Sequence, residues 1–226
     1  MTEHARRAPR QAEADRNDRA LLDAAREVLA MDGAHASVAA IAARAGVGIG
    51  SLYRRYRTKD ELFQRLCELS LDQWIEAAEA ALAHDDPWDG LAWYITASVN
   101  SGAGTLGPIA GSIAVTEEME AKVRRSDEVA EALVARAHAA GVLRPDVTSV
   151  DISLLIEQLG KSPLIEQLNR QGHVELAEAA VNARKRIIAI ALDGLRSGRP
   201  TPLPGYPPGD ELFTARWIHN PSKPEN

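Results

Sequence analysis

Apolar residues along this chain recur at spacings of three and four, the period of a helix packed on one face. Ala20, Leu21, Ala24, Ala25, Val28 and Leu29 form the first stripe, opening near Asn17 and stopping at Met31-Asp32-Gly33. A glycine there suits a helix end. Ser37 stands just before Val38 and Ile41 and predicts the N-cap of a short second helix ending near Arg44. Ala45-Gly46-Val47 reads as a three-residue turn, and a third short helix follows over about 48–56. Thr58, with Glu61 three residues on, predicts a capping box. It opens a long helix through Leu62, Leu66, Leu69 and Trp74 to about His84.

Asp86-Pro87 restarts the chain with a cap and a proline at the first helical position. Trp88, Leu91, Ala92, Ile95 and Val99 then share a face. The glycine-rich run 101–111 breaks it. Further helices are expected over about 116–140, 148–169 and 174–196. Within the second of these a five-residue word occurs twice, at Leu155–Leu159 and Leu164–Leu168. Gly160 and Pro163 lie between the copies, where a kink or break can re-aim the second. No segment alternates with period two over strand length. The expectation is an all-α fold of about nine helices, with three short N-terminal helices as a head and an antiparallel bundle of longer ones as a body. The predicted organisation is a flexible arm over 1–16, the head over 17–63, the body over 64–198 and a tail over 199–226. That tail holds seven of the twelve prolines, and a helical turn or two is expected at 210–218.

The composition is that of an ordinary globular chain: 226 residues, 45% hydrophobic and 26% charged. One cysteine, Cys67, excludes an internal disulfide and a cysteine-cluster metal site, and fits a reducing cytoplasm. No apolar run approaches a membrane span, and no signal sequence is expected. The formal net charge of -6 argues at first against nucleic acid. It is unevenly spread. Residues 1–60 carry 11 Lys+Arg against 8 Asp+Glu, while residues 61–226 carry 15 against 24. A basic head on an acidic body points the head at DNA.

The informative stretch runs from Ser37 to Lys59. Two short helices joined by a glycine-containing turn form a helix-turn-helix layout. Ser51, Tyr53, Arg54, Arg55, Arg57 and Lys59 fall within nine residues and include no acid. Hydroxyl, guanidinium and ammonium groups are those that contact phosphates. Lys59 adds its charge to the positive end of the long helix. Gly48, Ile49 and Gly50 form the tip that enters a major groove, where Ile49 can pack on a thymine methyl. A solvated basic face on an ordinary bundle explains the charge, but not the turn, cap and Tyr53 in register with it.

Residues of about 17–63 resemble the DNA-binding head of the tetracycline-repressor (TetR) family. The resemblance rests on Leu22, Ala24, Ala25 and Gly33, on Ser37-Val38, Ile41-Ala42 and Ala45-Gly46-Val47, and on Ser51 through Tyr56 with Thr58-Lys59. It implies that Tyr53, Lys59 and Arg55 contact phosphates and that Ser37 both caps its helix and meets one. It also implies that Ile49, Gly50, Ser51 and Arg54 face bases. Gly48 departs from the family, which commonly has serine there, and this shifts readout toward Arg54 and DNA shape. Weaker matches lie at Leu143–Thr148 and Leu192–Arg196.

The resemblance further implies a homodimer on a palindromic operator, built through the last two long helices. Ile187, Ile188, Ala191, Leu192 and Leu195 make an apolar face suited to core and partner alike. It implies a small effector in the body, largely apolar if Trp93, Tyr94, Ser98, Met119, Val123 and Ile156 line its pocket. The expected function is a transcriptional regulator, a repressor released by that effector. The alternative is a ligand-free adaptor controlled by a protein through the body or tail. No enzyme, metal site or cofactor is expected. Gly102-x-Gly104-x-x-Gly107 matches a dinucleotide fingerprint formally, but lacks the preceding strand that such a site needs.

Overall fold

The computed structural model describes residues 4–198, 203–204 and 207–209. The elements are α1 His4–Asp32, α2 Val38–Arg44, α3 Ile49–Arg55, α4 Lys59–Leu82, α5 Pro87–Asn100, α6 Glu117–Ala139, α7 Ser149–Gly160, α8 Leu164–Arg170 and α9 Ala177–Leu195. The fold is all-α. Among the described residues the one piece of β pairing is an isolated antiparallel bridge between Leu143 and Arg196. The tail segment 210–218 lies outside the described residues.

The caps fall where short polar side chains precede apolar runs. Ser37, Thr58, Asp86, Thr116 and Thr148 each accept a backbone N–H three residues on. The pair at Thr58 differs from the expected box: the Glu61 carboxylate accepts from the Arg57 N–H, one residue before the cap. The full reciprocal box is at Thr148 and Asp151.

Two differences from the periodic pattern have clear causes. Helix α1 begins at His4, well upstream of Asn17. Its first turns carry no apolar stripe, so periodicity could not find them. The helix expected over 148–169 is two helices. Pro163 ends the ladder, and α8 starts after it, so the two copies of the repeated word sit on different helices.

Two apolar cores form. One joins α1, α2, α3 and the start of α4 to Leu106, Ile109, Ile113 and Met119 from the body. The glycine-rich run is therefore a packed connector that seats the head. The second core lies among α4, α5, α6, α7 and α9. Cys67 is buried in the first, and burial pushes its thiol up to about 12. It is a small packing residue with little thiolate.

The connector crosses α7 where neither chain has a side chain to spare. A Cβ on Gly160 would collide with the Ala103 carbonyl oxygen, and one on Gly104 would stand 2.5 Å from Glu157 Cγ. Gly160→Ala is expected to destabilise the chain by about 1–3 kcal/mol, as overpacking does. Thermal unfolding measures it, and an unchanged midpoint would mean that the crossing opens freely.

Leu143–Asp146 and the end of α9 are tied together. The Arg144 N–H donates to the Leu195 carbonyl at 3.0 Å, and the Ser197 N–H to the Val142 carbonyl at 2.9 Å. The Arg144 guanidinium meets Asp146 in two parallel bonds of 2.6 and 2.8 Å. The Arg196 guanidinium lies 4.2 Å above the Trp88 ring. The bonds from Arg144 lower the Asp146 carboxyl from 3.8 to about 2. A depressed folded value means that its contribution is complete above the ordinary value and vanishes as pH falls through about 2. Asp146→Asn is therefore expected to flatten the acid limb of a stability-against-pH curve between those values, and to leave its slope near neutrality unchanged.

Candidate nucleic-acid interface

Helices α2 and α3 are joined by a tight turn in which Gly46 has φ +68°, a left-handed conformation that favours glycine. Val38, Ile41, Ala42 and Leu52 are buried on the inner side. That burial fixes the rotation of α3 and leaves its other face to solvent. Ser37, Ile49, Gly50, Ser51, Tyr53, Arg54 and Lys59 are all exposed. Tyr53 is 48% and Ile49 42% exposed, unusual for such side chains on a packed helix. Five of these exposed residues lie on α3, Lys59 opens α4 and Ser37 caps α2.

Local contacts orient several of them. Ser37 keeps its hydroxyl on the Ala40 N–H at 3.1 Å. Arg54 donates to Ser51 Oγ at 2.8 Å, which holds the guanidinium along the exposed face. The Lys59 ammonium lies 5.1 Å from the Phe63 ring, so its stem is braced at the N-terminus of α4.

Arg55 is placed differently from Arg54. It donates to Asp18 at 2.8 Å, and that carboxylate is 1% exposed. Asp18 also accepts from the Tyr56 hydroxyl at 2.7 Å and from Arg65 at 3.4 Å. One buried acid on α1 thus ties α3 to α4. Burial first, then the bond to Asp18, raises the Tyr56 phenol, which stays protonated. The sequence reading missed Asp18. Its signal was position: it lies on the stripe of Leu21, Leu22 and Ala25, where an acid needs a partner.

The expected effector residues do not form one site. Tyr94 and Ile156 belong to the body core and Met119 to the head core. Ser98 is buried beside the Tyr94 hydroxyl, and burial pushes that phenol up to about 12. Trp93 and Val123 are exposed, Trp93 resting near the His84 ring at 5.7 Å. None of the six lines either of two cavities. One, about 110 Å³, is bounded by α5, α7, α8 and α9. The other is a cleft of about 590 Å³ where α1 meets α4, α5, α8 and α9. Its lining is rich in charged and amide groups, unlike the largely apolar pocket expected. The reason lies on α1: Arg26 sits on the buried stripe and carries charge into the joint.

The α9 face divides in two. Ile188 and Leu195 are buried in the protomer, while Ala191 and Leu192 are half-buried. Ile187 is 52% and Ile190 67% exposed, and Val181, nearer the start of α9, is 41% exposed. Ile190 and Val181 were missing from the expected set; Val181 continues its helical spacing, whereas Ile190 touches its edge only through Ile187, three residues before it.

A helix-turn-helix head with an exposed basic helix, seated on an all-α body, defines a DNA-binding transcriptional regulator. The chain belongs to the tetR family of bacterial regulatory proteins, whose model matches residues 21–66. Residues 86–197 match a second model, the C-terminal domain of SbtR-like transcriptional regulators. No curated protein matches the chain. Among solved structures it is similar to the TetR transcription regulatory protein of Mycobacterium vanbaalenii, at 24% identity and a TM-score of 0.54, covering 82% of this chain and 98% of that one. It is similar to the TetR regulator SCO0520 of Streptomyces coelicolor, at 21% identity and 0.53, covering 80% and 98%. It also resembles the ketosteroid transcriptional regulator KstR2 of Mycobacterium tuberculosis, at 22% and 0.51, covering 79% and 94%. At these identities the likeness is one of fold. The family is one of DNA-binding regulators rather than enzymes. Among the described residues no helix is long and apolar enough to cross a membrane.

Proposed function

We propose that the chain is a homodimeric repressor that reads a palindromic operator and leaves it when a small effector binds the body. The observation that carries this reading is the exposed face of α3 with Lys59 beside it. Ile49, Gly50, Ser51 and Arg54 face base edges. Tyr53, Lys59 and Ser37 hold phosphates on either side. Arg55 reaches a phosphate while keeping Asp18, since its side chain is 37% exposed.

Dimerisation is supported by Ile187 and Ile190, exposed apolar neighbours at i, i+3 on α9 that a lone protomer leaves in water. One seven-residue helix reads too few base pairs for useful specificity, so two heads are needed. The packed connector supports the coupling. Leu106, Ile109 and Ile113 lie in the head core, so a change in the body's helices moves the head.

Footprinting on the DNA upstream of its own gene tests this. The expected pattern is two-fold symmetric, with half-sites about one helical turn apart or a multiple of it, and two protomers per site. An asymmetric footprint from a single protomer would refute the dimer.

A further inference from the structure

Two residues that line the polar cleft at the head–body joint each carry a buried polar atom with no hydrogen-bond partner among the described residues. The first is Arg26 on α1, 7% exposed. Its Nη2 donates to Ser70 Oγ at 3.1 Å and to Gln73 Oε1 at 2.9 Å, both neutral. The nearest acid, Asp23, stands at 3.7 Å and is itself 69% exposed. Among the described residues Arg26 Nε has no hydrogen-bond partner. Burial lowers the guanidinium to about 10, so it remains a cation at neutral pH. A buried cation with an unused donor, whose one acidic neighbour is mostly in water, is costly to fold around.

The second is Glu166 on α8. Its Oε2 is buried and also lacks a partner among the described residues. Both residues line the cleft. Of the other charged groups there, Asp23 reaches Arg26 only at 3.7 Å from a largely exposed position, Glu27 pairs with Arg44, and Arg184 donates to the Ser162 carbonyl at 2.8 Å. The volume, about 590 Å³, suits a small molecule.

We propose that this cleft binds a small zwitterion, an α-amino acid or a close analogue, with its carboxylate on Arg26 and its amine on Glu166. A simple acid would leave Glu166 without a donor. A simple amine would leave the buried Arg26 Nε–H without an acceptor. A molecule carrying both satisfies both, and guanidinium–carboxylate pairing is strong and directional. Asn100 and the amide nitrogen of Gln73, whose oxygen serves Arg26, line the same cleft and can meet the ligand's side chain. The site spans α1 of the head and α8 of the body, so its occupant bridges the two. The proposal rests on the reading of the chain as an effector-controlled regulator.

The test uses the full chain, with thermal unfolding and titration calorimetry against the common α-amino acids. The matched acids lacking the amine and amines lacking the carboxylate serve as controls. At least one amino acid is expected to give a saturable rise in Tm and a measurable heat, with its matched controls giving neither. Glu166→Gln, at a half-buried position, is expected to weaken that binding about tenfold or more, the loss of one charge-assisted bond. Arg26→Lys is expected to weaken it too. Absence of any amino-acid binding, binding by the simple acids alone, or full binding by Glu166→Gln overturns the proposal. Operator affinity in the same samples separates the two readings. Zwitterion binding that leaves DNA affinity unchanged upholds the site and strikes the effector reading. Intact operator binding with no zwitterion binding strikes the site alone.

Discussion

Replacing Tyr53 by Phe together with Lys59 by Ala is expected to lower operator affinity by about 10²–10³-fold. Each head loses one hydroxyl and one ammonium from phosphates, and a dimer loses two of each. Hydrogen bonds to charged groups are worth roughly 1.5–3 kcal/mol when cleanly removed, less where water replaces them. The two lysines should also reduce the slope of log affinity against log salt by about 2. Both side chains are exposed and neither supports the core, so the unfolding midpoint should be unchanged. Gel shifts at several salt concentrations measure both effects. If affinity and salt slope are both unchanged, the phosphate assignment of Tyr53 and Lys59 is wrong.

Asp18→Ala is expected to cost about 3–5 kcal/mol, the usual cost of removing one partner of a buried ion pair. The loss strikes three groups together. Arg55 and Arg65 lose their shared counter-charge, and the buried Tyr56 hydroxyl loses its acceptor. The two arginines keep about a third of their surface in water, which holds the cost toward the lower figure. Urea unfolding gives the number through the midpoint at constant slope. Asp18→Asn keeps an acceptor for Tyr56 and should lose less. If Ala and Asn variants lose the same, the charge rather than the hydrogen bond carries the tie.

Much of the head was legible from the sequence because its logic is local. Caps, a glycine turn and a helical stripe each act within a few residues, so the Ser37 cap, the Gly46 turn and the inward packing of Leu52 and Tyr56 could be read. The body was less legible because its sites depend on distant segments meeting. Trp93 and Met119 are large and pocket-like in sequence, yet one lies at the surface and the other in the head core. Arg26, Ser70, Gln73 and Glu166 lie far apart in the chain and show no spacing that announces a cleft. Glycine meaning was likewise non-local. Gly102 to Gly107 resembles a nucleotide loop as a string, but Gly104 and Gly160 owe their identity to a crossing of two segments.

The ties between Leu143–Asp146 and the end of α9 bear on recombination among relatives. The loop supplies acceptors and donors that only the matching helix end completes: Arg144 with the Leu195 and Gly194 carbonyls, Val142 with Ser197. Arg196 adds a stacking contact to Trp88 at the start of α5. A chimera that exchanges α9 alone, to borrow another regulator's partner preference, separates halves of one hydrogen-bonded clasp. Moving the loop, Trp88 and the helix end as a set keeps the clasp whole, and the exposed residues of α9 can then be traded freely.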